Sequence, residues 1–234
     1  MKRVLLIFLL GLLYITSTAQ KYRDSQFHLG GGVGLTYPMG DFSNVASGGV
    51  SGNVEGRWIV NRRIAVGFEM GFSQYSQKDS FWEVGNRGEN DVVYQIVPML
   101  FSGIYTMDAW DRDFHPYLSL SFGYYWFRNH VQFTSSNRTE YPFNGDPSLE
   151  YTINSNRIGL APTVGFWYDL SDRIAFEMKM RYTYIPSFPK SLTVRQKYTN
   201  VASGYEDSRD EENYSLGFTQ LTSLTVSLGL SYKF

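Results

Sequence analysis

The chain ends on Leu224-Thr-Val-Ser-Leu-Gly-Leu-Ser-Tyr-Lys-Phe234, in which apolar residues alternate without exception with small or polar ones. A period of two residues predicts a β-strand with one apolar face. A tilted strand of about ten residues is also long enough to cross a bilayer. Because lipid offers no hydrogen-bond partners, strands enter it only as a closed barrel that pairs every backbone group. The stretch therefore predicts a transmembrane β-barrel.

The other end of the chain indicates export. Lys2 and Arg3 precede an apolar run at 4–15, and small residues up to Ala19 follow it. This order is typical of a secretory signal peptide, and the apolar run is short for a membrane helix. We expect residues 1–19 to be cleaved and residues 20–234 to form one domain.

The composition excludes several classes of protein. The chain has no cysteine, which excludes a lipoprotein anchor, disulfides and thiolate metal sites. A net charge of −1 gives no indication of nucleic-acid binding. Aromatic residues make up 17% of the chain, yet the mean hydropathy is −0.27, which fits alternating strands better than membrane helices. No cofactor is expected.

Eight segments alternate in this way, which predicts an all-β, up-and-down antiparallel barrel of eight strands. They cover residues 27–37, 50–60, 64–72, 92–107, 118–126, 158–168, 174–184 and 224–234. The even-numbered links at 61–62, 108–115 and 169–172 are short. The odd-numbered links at 77–91, 129–155 and 187–213 are longer and polar, and only the first, at 41–48, is modest. Short periplasmic turns and long extracellular loops are typical of outer-membrane barrels, with both termini periplasmic.

The fourth segment is ambiguous. Tyr94 and Ile96 share one parity, whereas Met99 and Phe101 share the other, and Pro98 lies between them. Because proline cannot donate a ladder hydrogen bond, we expect a bulge there that switches the faces.

Six charged residues fall on the face opposite the lipid. They are Glu55, Arg57, Glu69, Glu177, Lys179 and Arg181. Eight strands enclose a space that side chains just fill, so these three acids and three bases must pair. We expect a salt-bridged plug that seals the lumen, with a narrow ion path as the alternative.

Other candidate sites are weaker. His28 faces inward, His115 falls in a periplasmic turn, and no histidine has metal-ligand spacing. His130 is near Ser135 and Ser136, which would suit the catalytic residues of a lipid A-modifying enzyme, but no carboxylate that would orient the histidine is identifiable. The glycines at 30–34 lack the lysine and helix of a phosphate-binding loop, so small residues filling the barrel explain them better.

Aromatic residues fall at two further kinds of position. Near the strand ends we expect a girdle at the headgroups, formed by Tyr37, Trp58, Tyr75, Tyr117, Trp126, Tyr168, Tyr184 and Tyr232. Within the loops, Phe81, Trp82, Tyr141 and Phe143 are expected to pack the loops together or to form an interaction patch. The acidic run 206–212 is expected to be solvated loop surface.

Three stretches resemble the small eight-stranded outer-membrane β-barrel domains of Gram-negative bacteria, a family that is OmpA/OmpX-like and porin-like. They are Gly34-Leu-Thr-Tyr-Pro-Met-Gly-Asp-Phe-Ser43, Asp-Arg-Ile-Ala-Phe-Glu at 172–177 and the terminal Tyr-Lys-Phe. The resemblance implies a cell outer membrane location and insertion by the barrel assembly machinery. It also implies that Leu230, Tyr232 and Phe234 act as the assembly signal.

The sequence leaves four functions open. We expect a non-enzymatic membrane scaffold whose loops interact at the surface, with outer-membrane lipid, lipopolysaccharide and an extracellular ligand as partners. The alternatives are a narrow solute or ion channel, a lipid A-modifying enzyme, and a soluble secreted barrel.

Overall fold

A computed structural model describes residues 27–78, 90–107, 113–134, 148–188, 191–199, 206–215 and 218–234. The predicted signal peptide and the candidate loop residues Phe81, Trp82, Tyr141 and Phe143 lie outside these ranges, as do Ser135 and Ser136.

Ten strands and one short 3-10 helix make up the described structure. The strands are β1 Phe27–Met39, β2 Ala46–Ile59, β3 Ile64–Gln77, β4 Asn90–Thr106, β5 Phe114–Thr134, β6 Ser148–Asp169, β7 Ile174–Ile185, β8 Ser191–Thr199, β9 Glu206–Ser215 and β10 Leu221–Lys233; the 3-10 helix is Gly40–Asn44. None of the helical structure in the described ranges is long and apolar enough to cross a membrane.

Eight of these strands close the barrel, as the sequence predicted. Each of β1 to β6 pairs antiparallel with the next strand, and β10 pairs with both β7 and β1. The closing seam runs from His28 opposite Lys233 to Met39 opposite Thr222. The first and last of the described strands are therefore neighbours, and the sheet closes into a barrel.

Two tight turns are set by side chains that accept backbone hydrogen bonds. Asn61 Oδ1 lies 2.9 Å from the backbone nitrogens of both Arg63 and Ile64. Ser171 Oγ accepts in the same way from Arg173 N (3.4 Å) and Ile174 N (3.1 Å). Short polar side chains satisfy the turn backbone locally, which permits the short links at this end of the barrel.

The outer surface carries an apolar belt. Val33 is 72% exposed, Leu120 57% and Leu230 57%, and the residues between such positions point into the lumen. An exposed apolar surface that surrounds a whole barrel is suited to lipid rather than to water.

The structure corrects the expected bulge at Pro98. The pairing of β4 with β5 runs in one register from Asn90 opposite Phe133 to Thr106 opposite Tyr117. Tyr94, Ile96 and Leu100 are all buried, so the even-numbered residues of β4 face inward throughout. The sequence pattern suggested a switch of faces because the inward face of β4 is itself apolar.

The prediction was also wrong for two members of the aromatic girdle. Tyr75 and Tyr117 are each 2% exposed and point into the lumen, because they share the parity of the inward residues of β3 and β5. Tyr37, Trp58, Trp126, Tyr168 and Tyr232 are on the outer surface, as expected.

The extracellular side contains more strand than the sequence indicated. β5 and β6 stay paired up to Thr134 opposite Ser148, within the expected 129–155 loop. β8 and β9 form a hairpin within the expected 187–213 loop, joined to the barrel wall by the pair Glu150 and Lys197. His130 therefore lies in β5 rather than in a loop, and at the periplasmic end His115 also lies in β5 rather than in a turn.

Candidate functional site: the filled lumen

The six predicted lumen charges lie together inside the barrel as one ion-pair ladder. Lys179 Nζ on β7 lies 2.7 Å from Glu55 Oε2 on β2 and 3.2 Å from Glu69 Oε2 on β3. Arg181 donates through both terminal nitrogens to the two oxygens of Glu69. Three acids therefore alternate with three bases, and the buried charge is neutral.

Glu177 anchors the periplasmic end of this ladder. It accepts hydrogen bonds from Arg57 Nη2 and from the Tyr117 hydroxyl, and Arg57 also pairs with Glu55. The guanidinium carbon of Arg57 lies 5.4 Å from the ring centre of Trp167 and 5.5 Å from that of Tyr117. Two aromatic faces and two carboxylates thus surround a cation that is buried away from water.

The ladder spans the full width of the barrel. In the ring of eight wall strands, four steps in either direction separate β3 from β7. The contacts of Glu69 with Lys179 and Arg181 therefore cross a diameter of the lumen. At the opposite end of the ladder from Glu177, Arg181 Nε donates to Thr163 Oγ1 at 3.4 Å.

An aromatic lid closes the lumen at the extracellular end. We use this name for Phe42 of the 3-10 helix, Phe188 after β7 and Phe218 before β10, three loop residues that are 0%, 4% and 3% exposed. The Phe42 and Phe218 ring centres are 5.0 Å apart, and those of Phe188 and Phe218 are 5.1 Å apart, all edge to face. Such edge-to-face arrangements are favourable for aromatic rings.

The lid packs onto aromatic side chains of the barrel wall. Phe42 contacts Tyr75 at 5.1 Å and Tyr94 at 5.6 Å between ring centres, and Phe188 contacts Phe127 at 5.1 Å. Segments of two extracellular connections, one between β1 and β2 and one between β7 and β10, therefore place their three rings over the upper lumen.

A small cavity of about 30 Å³ adjoins the ladder at Glu69, Lys179 and Arg181. Its lining includes Ser51, Thr183, Ser223 and Thr225 together with Glu69 and Arg181. This space has room for water that would solvate the upper charges, but not for a larger solute.

The periplasmic mouth holds a second polar group. Asp169 pairs with Lys233 and lies 3.3 Å from His115 Nε2. His28 is buried nearby, at 7% exposure. Within the described residues, no cluster of three or more histidines, aspartates or glutamates could hold a metal ion.

The three residues of the predicted assembly signal lie on the outside of the barrel. Leu230, Tyr232 and Phe234 face outward and are 57%, 39% and 64% exposed. The Phe234 ring lies 4.9 Å from that of Tyr232 and 5.8 Å from that of Phe27, which links the residue after β10 to the first residue of β1.

Sequence reasoning missed the aromatic lid. One signal was available in β5, where Tyr124, Tyr125, Trp126 and Phe127 follow one another and make both faces aromatic. The positions of Phe42, Phe188 and Phe218 carried no such signal, because isolated loop phenylalanines do not show where their loops fold.

Comparisons with known proteins locate the fold. No family model matches the chain, and no curated protein matches it. Among solved structures, a major outer membrane protein of Thermus thermophilus is 14% identical with a TM-score of 0.56, over 89% of this chain and 99% of that one. The outer membrane protein OprG of Pseudomonas aeruginosa is 16% identical with a TM-score of 0.50, over 92% and 99%. The chain thus has the fold of the small eight-stranded outer-membrane β-barrel proteins.

Proposed function

We propose that the chain is a sealed, non-enzymatic barrel of the outer membrane that scaffolds the bilayer and presents its extracellular loops for interaction. The observation that carries this proposal is the double closure of the lumen. The ion-pair ladder crosses the barrel through Glu69 and Arg181, and the aromatic lid covers the ladder from outside.

The two closures differ in what they would cost to open. Separating a buried charge from its partner costs several kcal/mol per ion, so an ion crossing the ladder needs a replacement partner at each step. Moving the lid exposes three phenylalanine rings to water, at about 1.5–3 kcal/mol for each ring. Both costs favour a closed lumen over a conducting one.

The outer surface supports the membrane role. The apolar belt matches lipid, while the wall of β5 and β6 and the hairpin of β8 and β9 extend beyond it on the extracellular side. Under this proposal the partners are outer-membrane lipid and lipopolysaccharide around the belt, the barrel assembly machinery during insertion, and a ligand at the loops.

The test is single-channel recording on the folded mature chain in planar bilayers. Folding is verified by the difference in gel mobility between unheated and heated samples. We expect silent membranes from the natural sequence, and conductance steps after Phe42→Ala and Phe218→Ala are combined with Glu69→Gln and Arg181→Gln. That quadruple variant controls for reconstitution, because it opens both closures.

Discrete steps from the natural sequence, shifted by Glu177→Gln or Arg181→Gln, would overturn the sealed-barrel proposal and establish the narrow channel instead.

A further inference from the structure

Arg173 lies at the periplasmic boundary of the apolar belt. It directly precedes Ile174, the first residue of β7, which is opposite Tyr232 of β10 and faces outward with it. The turn residues on the other side of Arg173, Ser171 and Asp172, are polar and exposed. Lipid headgroups lie where the outward residues change from apolar to polar. Arg173 is therefore at the height of the headgroups of the periplasmic leaflet.

Hydrogen bonds on both sides hold the backbone of Arg173 at this boundary. Its nitrogen donates to Ser171 Oγ at 3.4 Å, and its carbonyl oxygen accepts from Lys233 N at 2.8 Å. The second of these bonds joins the turn to β10. A side chain that starts from a fixed backbone loses less conformational freedom when it binds a ligand.

The guanidinium of Arg173 lies on the lipid side of the wall. Its Nη1 donates to the hydroxyl oxygen of Tyr232 at 3.3 Å, and the Tyr232 ring is on the outer surface. Both side chains are exposed, so they are open to the headgroup region. Among the residues that the structure describes, no carboxylate pairs with Arg173. A positive charge without a protein counter-charge thus faces the membrane surface.

The free donors of this pair suit a phosphate. With Nη1 directed at Tyr232, Nε and Nη2 of Arg173 remain as the two parallel donors that bind a phosphate through two oxygens. The Tyr232 hydroxyl accepts from Arg173 and still has its own proton to donate. Three donors on the outer surface are therefore available to one phosphate group.

An apolar strip continues from this pair toward the middle of the bilayer. It consists of the outward residues of β7 and β10, among them Ile174, Met178, Leu228 and Leu230, which are 43%, 40%, 50% and 57% exposed. The two strands are paired in one register along this strip. A lipid whose phosphate lies at Arg173 has its acyl chains on the strip, whereas a phosphate in solution would leave it unused.

We propose that Arg173 and Tyr232 bind the phosphate of a glycerophospholipid in the periplasmic leaflet, with its acyl chains on the strip between β7 and β10. The periplasmic leaflet of an outer membrane consists of glycerophospholipids, and lipopolysaccharide occupies the other leaflet. The site rests on the membrane orientation of the proposed function and does not depend on whether the lumen is sealed.

The test is native mass spectrometry of the refolded mature chain in maltoside micelles, titrated with phosphatidylglycerol. Arg173→Gln removes the charge, Arg173→Lys keeps the charge without the parallel donors, and Tyr232→Phe keeps the ring without the hydroxyl. Arg62→Gln is the matched control, because Arg62 is an exposed arginine in the other tight periplasmic turn. Gel mobility before and after heating verifies that each variant is folded.

We expect a one-to-one phospholipid adduct with the natural sequence. Arg173→Gln should weaken it about tenfold, the effect of losing a charge-assisted contact. Tyr232→Phe should weaken it roughly threefold, because a neutral hydrogen bond contributes less. Arg173→Lys should fall between the natural sequence and Arg173→Gln, and Arg62→Gln should bind as the natural sequence does.

Three outcomes would overturn the site. Equal losses in Arg173→Gln and Arg62→Gln would indicate diffuse surface charge. Equal binding of diacylglycerol, which has no phosphate, would indicate the apolar belt alone. Displacement of the phospholipid by glycerol phosphate, itself bound one-to-one, would indicate a site for a soluble anion.

The fate of this site and that of the proposed function are distinguishable. A folded, silent barrel without the adduct would remove the site and leave the proposed function standing. A conducting barrel that keeps the adduct would remove the sealed lumen and leave the site standing.

Discussion

At the scale of single residues, the buried ladder predicts that a substitution of Glu177 strongly destabilises the barrel. Its carboxylate accepts from both Arg57 and Tyr117. In Glu177→Gln, the lumen keeps three bases but only two acids, and an uncompensated buried charge costs about 3–5 kcal/mol. We expect a loss of that size in the free energy of unfolding, measured by urea titration in lipid vesicles with tryptophan fluorescence.

The control for this prediction is Asp172→Asn, which removes an acid from the exposed periplasmic turn. Substitution of a solvated surface acid changes the free energy of unfolding by no more than about 0.5 kcal/mol. If the two variants unfold at the same urea concentration, the ladder does not stabilise the barrel.

The apolar belt predicts the effect of a charge that is added on the lipid-facing side of the wall. Leu228 is 50% exposed near the middle of β10. An arginine facing lipid costs about 2–4 kcal/mol at the bilayer midplane and roughly 0–1 kcal/mol near the interface. We therefore expect Leu228→Arg to destabilise the barrel strongly in vesicles, and Ile174→Arg, at the periplasmic end of β7, to have little effect. Equal stability of the two variants would contradict the membrane depth assigned to β10.

At the scale of elements, alternation predicted the strands well where their two faces differ in chemistry. β10 and β7 are such strands, because lipid-facing apolar residues alternate with serine, glycine or charge. The prediction failed at Pro98 and at Tyr75, where inward rings of the same strands, Tyr94 and Tyr75, contact Phe42 of the aromatic lid. An apolar lumen removes the contrast between faces on which a period of two depends.

The sequence did not predict the hairpin of β8 and β9 or the aromatic lid, and the reason is different. Their strands and rings are placed by contacts between loops that are far apart in sequence, such as Phe42 with Phe218. The lumen charges, in contrast, were predicted from parity alone, because a charge on the inner face of a narrow barrel must point into the lumen.

The hairpin should be dispensable for folding. It joins the barrel wall through the pair Glu150 and Lys197. Replacing residues 191–215 by a short glycine-serine linker removes little wall hydrogen bonding, so we expect the shortened chain to keep its heat-modifiable gel shift and its unfolding midpoint.

A matched change in another extracellular loop should behave differently. Phe42→Ala removes a fully buried ring of the lid, and such truncations cost about 3–5 kcal/mol. If the linker lowers the unfolding midpoint and Phe42→Ala leaves it unchanged, the hairpin stabilises the barrel and the lid residue does not, which would contradict both expectations.

At the scale of the whole molecule, the barrel combines an apolar outside with a lumen whose character changes along its axis. Paired charges fill the middle, and aromatic rings fill the extracellular end. Each layer fits the strands that face it, so the wall and its filling stabilise one another. The closing seam between β1 and β10 completes the wall around both layers.

Phe234 lies at the end of that seam. Its backbone nitrogen donates to Phe27 O at 3.0 Å, and its ring packs on those of Phe27 and Tyr232. One exposed aromatic ring contributes little to a barrel closed by a full ladder of hydrogen bonds. We therefore expect deletion of Phe234 to slow assembly in cells, followed by pulse-chase on unheated gels, while the barrels that do form unfold at nearly the natural urea concentration.

Phe27→Ala separates the two roles that Phe234 could have. It removes the ring contact across the seam but leaves the aromatic carboxyl terminus intact. If the terminus acts as a recognition signal, only the deletion slows assembly in cells, and both variants refold at similar rates into pure lipid vesicles. If both variants assemble equally slowly, the rings act by closing the seam, and the terminal residue is a packing contact rather than a signal.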